Sequence, residues 1–275
     1  MSGWHWLIER LPFEWAHFAF MHNALLAVLL VSPLFALLGC LVINNQMAFF
    51  SDAIGHATLT GIAIGTLLGM ADPTWSMIGF AVLLAMGISL LRRYSAVSTD
   101  TLIGLVMAFA VALGVVVLSR GGGFAKYSRF LIGDLLTITP QEIGRLGVIL
   151  LLVGLLWLRY FNRFLLTFLN RALAQSRGEN VWAMEAFFAS IVALVVAVSI
   201  PWVGLLVVNS LLIIPAATSR NLAVNTPQYI LFAVLLSVLA GVSGLVLSFH
   251  WGTATGATIV LVAMTFYIVS LPFQR

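Results

Sequence analysis

The sequence predicts an all-α, polytopic helical membrane protein, and three observations carry that prediction. Of its 275 residues, 62% are hydrophobic and only 8% are charged, which no ordinary soluble domain matches. Several apolar runs reach about 20 residues, enough to cross a hydrocarbon core of about 30 Å. Uncharged runs of that length do not fit barrel strands. The formal net charge of +4 is what arginine-bearing cytoplasmic loops produce and does not argue for a nucleic-acid partner. Cys40 is the single cysteine, which excludes an intramolecular disulfide and a cysteine-built zinc site.

Taken in order, residues 1–16 place Trp4, Trp6, Phe13 and Trp15 among scattered charges. Tryptophan favours the headgroup level, so this segment reads as an interfacial N-terminal arm. Glu9, Arg10 and Glu14 argue against a cleaved signal peptide. Residues 17–275 form the membrane domain. Its candidate spans are 17–43, 52–70, 74–91, 100–119, 141–160, 183–200, 203–220, 227–248 and 254–272. That makes nine, or eight if the two spans around Pro201 are one. With the N-terminus outside, Arg92, Arg93, Arg159, Arg163, Arg171, Arg177, Arg220 and Arg275 share the cytoplasmic side. The smaller group of Arg10, Arg120, Lys126, Arg129 and Arg145 then lies outside, which fits the positive-inside rule on balance.

Two loops stand out. The outer one holds Gly121–Gly123 and Asp134, with a short apolar piece, Phe130–Leu136, that cannot span. No Gly-Lys-Ser/Thr follows the glycines, so this is no phosphate loop. With no nucleotide-binding signature in the chain, any ATP hydrolysis belongs to another subunit. The cytoplasmic loop, about 162–182, has helix-forming residues through Arg171–Arg177 and a stop at Gly178. It reads either as a plain connection or as a docking element for a motor subunit. Further on, Pro215 with Asn209 and Ser210 inside an apolar span predicts a kink that frees carbonyls, either to line a cavity or within ordinary packing.

The chemistry concentrates in SDAIGHATLTGIAIGTLLG, residues 51–69. Asp52 and His56, four apart, share one face of a helix. Gly61, Gly65 and Gly69 centre about 160° away and offer a smooth groove for a neighbouring helix. A charge inside a bilayer costs about 2.5–3.5 kcal/mol on insertion scales, so such a pair is rare unless it works. Carboxylate and imidazole both ligate zinc and related ions. A twofold axis beside this helix would bring two such pairs together and complete four ligands. The pair by itself also allows an Asp52 helix cap with a buried His56, or a proton relay in a secondary carrier. Among other polar residues, His5, His17 and His22 read as surface residues of the arm, and Asp100 as a helix N-cap. His250, beside Trp251, reads as interfacial or as an accessory metal ligand at the entrance.

Several segments resemble the permeases of metal-ion ABC importers, and the zinc-uptake branch in particular. They are MAFFSDAIGHATLTGIAIG (47–65), DTLIGLVMAFAVALGVVVLS (100–119), FLIGDLLTITPQEI (130–143), VGLLVVNSLLIIPAATSR (203–220) and TGATIVL (255–261), in the family's order. The resemblance implies a homodimeric permease of the bacterial cytoplasmic membrane, with two cytoplasmic ATPase subunits and an external metal-binding protein. It implies a transport subunit that is not an enzyme and has no permanent cofactor, with zinc, or alternatively manganese or iron, as the transported substrate. The family's metal-interacting Asp and His match Asp52 and His56. Its ATPase-contacting loop matches Arg171, Ala172, Leu173, Ala174, Gln175, Ser176, Arg177 and Gly178, and the outer piece 130–136 would face the delivery protein. Two departures are visible. Asn44, Asn45 and Gln46 stand where relatives carry an arginine pair. The segment FHWGTATGA lacks the usual C-terminal aspartate, for which His250 is the candidate substitute.

Overall fold

The computed structural model describes residues 8, 12, 14–70, 72–121 and 135–274, with the side chains of residues 120 and 121 excepted. Most of the N-terminal arm, most of the outer loop with Asp134 and residues 130–134, and Arg275 lie outside the described residues. All described regular structure is helical. The long helices are α1 (Ala19–Asn44), α2 (Phe50–Leu67), α3 (Thr74–Tyr94), α4 (Thr99–Gly121), α5 (Pro140–Leu169), α7 (Val181–Val203), α8 (Leu205–Leu222), α9 (Thr226–Trp251) and α10 (Thr255–Ser270), with the short α6 (Arg171–Ser176) between α5 and α7. Eight of these described helices are long and apolar enough to cross a membrane. The remaining long one is α2, whose composition Asp52, His56 and its threonines and glycines dilute.

Local chemistry sets the boundaries. A reciprocal capping box opens α5: the Thr139 amide donates to Glu142 Oε2 at 2.7 Å, and the Glu142 amide donates to Thr139 Oγ1 at 3.4 Å. Asn225 Oδ1 caps α9 by accepting from the Gln228 amide at 2.9 Å. The division between α7 and α8 falls at Gly204, whose φ of 87° is open to glycine and costly for other residues. Pro201 lies inside α7 and Pro215 inside α8, and neither ends its helix. The two spans around Pro201 are therefore separate helices divided at Gly204, and α8 runs through Pro215.

The chain forms two compact units. One comprises Met1–Cys40, Asp134–Gly154 and Trp202–Arg275. Here α8, α9 and α10 pack on one another. A Cβ on Gly244 would lie 2.6 Å from the Ile259 Cα, and one on Gly39 would run into the Leu212 carbonyl. Polar groups find partners on neighbouring helices, as they must where water is absent. The Ser237 hydroxyl donates to the Ser32 carbonyl at 3.0 Å, the Tyr229 hydroxyl to the Cys40 carbonyl at 3.3 Å, and Asn221 Nδ2 to Ser270 Oγ at 2.9 Å.

The other unit comprises Leu41–Gly133 and Leu155–Pro201. Its centre is α2, which packs on both α3 and α4. Gly61 backs onto α3, where an added Cβ would lie 2.7 Å from the Met77 Cα; one on Gly65 would meet Ser76 Oγ. On the α4 side the Thr60 hydroxyl donates to the Ala110 carbonyl at 2.6 Å, and Gly114 lies directly over Thr60. Gly69 is a correction to the expected stripe. The helix ends at Leu67, and Gly69 adopts φ 68° with no neighbour within 4 Å of an added Cβ. It serves the turn, because the projection along one face fails where the helix stops.

Candidate metal pair and docking helix

Asp52 and His56 occupy the first two turns of α2, where a carboxylate also suits the positive end of the helix dipole. Asp52 Oδ1 stands 3.7 Å from His56 Nε2, and each side chain is about one third exposed, 34% and 35%. That separation exceeds a hydrogen bond. Asp52 does not cap its helix: the N-cap is Phe49, with no side-chain cap bond. The face opposite is closed by α3 against Gly61 and Gly65. Among the described residues no three His, Cys, Asp or Glu side chains gather into a ligand set. Two side chains of ligand type are half the number that a four-coordinate zinc site takes.

The other expected residues fall elsewhere. His250 is exposed in the last turn of α9, beside the Phe249 ring, in the unit that does not contain the pair. His22, expected at the surface, is buried, with Nε2 2.6 Å from the Ala16 carbonyl. Its apolar neighbours on α1 carry it inward. His17 is exposed at the end of a short 3-10 helix, Glu14–His17, and His5 lies outside the described residues. Asp100 is exposed in the first turn of α4, and the cap is Ser98, whose Oγ accepts from the Thr101 amide at 3.2 Å.

The loop 162–182 contains α6, RALAQS. Asn170 Oδ1 accepts from the Leu173 amide at 3.0 Å to start it, and Gly178 at φ 78° ends the turn. Ala174 is buried, while Arg171, Ala172, Leu173, Gln175, Ser176, Arg177 and Gly178 are exposed. Beside α6 lies a cleft of about 490 Å³ lined by Arg92, Arg93, Arg171, Gln175, Trp182 and Glu185, among others.

The sequence reading passed over Glu185. It is buried in α7, with Oε1 2.7 Å from Arg171 Nη2 on α6 and Oε2 3.8 Å from Arg92 Nη1 on α3. Arg92 also donates to Asn45, from Nη1 to Oδ1 at 3.1 Å and from Nη2 to the carbonyl at 3.4 Å. A single carboxylate in the apolar run VWAMEAFF was the available signal, since an isolated acid there calls for a partner.

Comparison with known proteins identifies the family. The profile of the ABC 3 transport family matches residues 17–274. The chain belongs to that family. It is the permease component of a metal-ion ABC importer, a transport subunit and not an enzyme. The permease is 32% identical over 263 residues to the high-affinity zinc uptake system membrane protein ZnuB of Haemophilus influenzae, covering 94% of this chain and 98% of that one. It is 28% identical over 259 residues to the manganese transport system membrane protein MntC of Listeria innocua, covering 93% and 91%. In structure it is similar to PsaBC from Streptococcus pneumoniae in complex with Fab, with a TM-score of 0.78, 26% identity and coverage of 98% and 95%.

Proposed function

We propose that this permease imports zinc across the bacterial cytoplasmic membrane, and that Asp52 and His56 bind the ion transiently on its way. The observation that carries the reading is the 3.7 Å separation of Asp52 Oδ1 and His56 Nε2 on one partly open face of α2. With zinc–oxygen and zinc–nitrogen bonds of about 2.1 Å, tetrahedral ligands stand about 3.4 Å apart. A small side-chain adjustment therefore suffices to chelate the ion. Two protomers joined at a twofold axis beside α2 bring four ligands together. A set of carboxylates and imidazoles holds zinc less tightly than four thiolates, which suits a site that must release its cargo. The likeness to ZnuB favours zinc over manganese or iron.

In this reading α6 and Gly178 dock one of two cytoplasmic ATPase subunits, and an external metal-binding protein delivers the ion. His250 is an accessory ligand near the entrance, and Pro215 a flexing point within α8. Membership of the ABC 3 transport family sets aside a proton-coupled carrier built on the same pair. The test is zinc uptake by the full complex in vesicles. Asp52→Asn and His56→Gln each reduce uptake at least about 100-fold, with the ATPase still copurifying; a tetrahedral site missing one of four ligands holds zinc far less well. Wild-type uptake in both variants would reject the assignment. Uptake blocked by excess manganese but not by excess zinc would reject the choice of metal.

A further inference from the structure

Resting on the reading that α6 docks the ATPase, we infer that Glu185 is a positioning residue that couples α6 to the segment leading into the metal pair. The contacts form a short chain within one compact unit. Arg171, the first residue of α6, meets Glu185 at 2.7 Å; Glu185 meets Arg92 at 3.8 Å; and Arg92 holds Asn45 through two donors. Asn45 lies in the turn between α1 and α2, beside Gln46 at a left-handed φ of 54°. Asp52 follows Asn45 by seven positions. A displacement of α6 is thereby passed to the end of α3 and to the entry of α2 without crossing a flexible loop.

Three features mark this cluster as more than surface charge. Glu185 has a side chain only 10% exposed, and Arg92 one of 18%. A buried ion pair gives little net stability over an apolar replacement of the same volume, so its value lies in fixing geometry. Glu185 is also shared: two arginines, one on α6 and one on α3, meet a single carboxylate, so neither can move alone without leaving charge unbalanced. Finally, Asn45 is a neutral amide that accepts from Arg92 twice, through its side-chain oxygen and its backbone carbonyl, which fixes the guanidinium against the turn.

The experiment measures zinc taken up per ATP hydrolysed by the full complex in vesicles, for the wild type, Glu185→Gln, Arg92→Gln and the double variant. Each single variant lowers that ratio about tenfold, the size of a typical coupling between sites, while the ATPase still copurifies. The double variant falls no further than either single one, because the residues act as one unit. Unchanged ratios in the single variants, or multiplied losses in the double, overturn the inference. If Glu185→Gln does not assemble, Arg92→Gln alone decides by the same ratio. Uptake and complex amount falling in step in both variants also overturn it, by making the cluster a mere structural brace. Wild-type uptake in an Asp52→Asn complex defeats the metal-pair reading instead, while the zinc-per-ATP ratio of the Glu185 and Arg92 variants still decides the coupling.

Discussion

Helices α2 and α4 pack side by side in one unit and place their residues in opposite ways. α2 is the less apolar of the two, and 12 of its 18 residues are buried. α4 is strongly apolar, yet only 28% of its most hydrophobic stretch is buried, with Leu105, Phe109, Val115 and Val116 turned outward. In water the arrangement would be inverted. With lipid as solvent, apolar side chains have no reason to hide, and the interior is reserved for small residues and for polar groups with work to do. The difference teaches where function can reside: on the helix whose polarity is protected.

The sharpest way to break this contrast is to put a charge on the outward face of α4. Leu105→Lys costs about 3 kcal/mol if that face meets hydrocarbon, and it lowers membrane-inserted protein several-fold in a quantitative blot. Normal levels would show that the face is wet or covered. A smaller effect separates glycines by environment. Gly61→Ala pushes a methyl group against the Met77 backbone and costs about 1–3 kcal/mol, seen as a lower thermal midpoint of the purified complex. Gly104→Ala, on α4 with nothing within 4 Å, gains up to about 1 kcal/mol from helix propensity. Equal midpoints for the two variants would contradict the packing described for α2 and α3.

The contrast also explains what the sequence disclosed. Apolar runs announce membrane helices directly, because each must satisfy its own backbone. The Asp52–His56 pair was legible because both members lie on one helix at a spacing of four. Glu185 was not singled out, because its partners are distant in the chain: Arg92 is 93 residues away, and only tertiary packing brings it near. Gly69 misled because a helical projection holds only while the helix lasts. The two spans around Pro201 were legible as separate, although Gly204, three residues on, takes the backbone turn while Pro201 stays within α7. Among the described residues no third His, Cys, Asp or Glu joins the pair, so one chain read alone stops at two candidate ligands.

The most direct test of the central claim is the zinc K-edge absorption spectrum of the zinc-loaded full complex, held with its delivery protein and compared with the same complex carrying His56→Gln. The account predicts a shell of four nitrogen and oxygen ligands at about 2.0–2.1 Å with outer-shell imidazole scattering, in which the variant loses the imidazole contribution and most of the bound zinc. An identical spectrum and zinc content in the variant would contradict it.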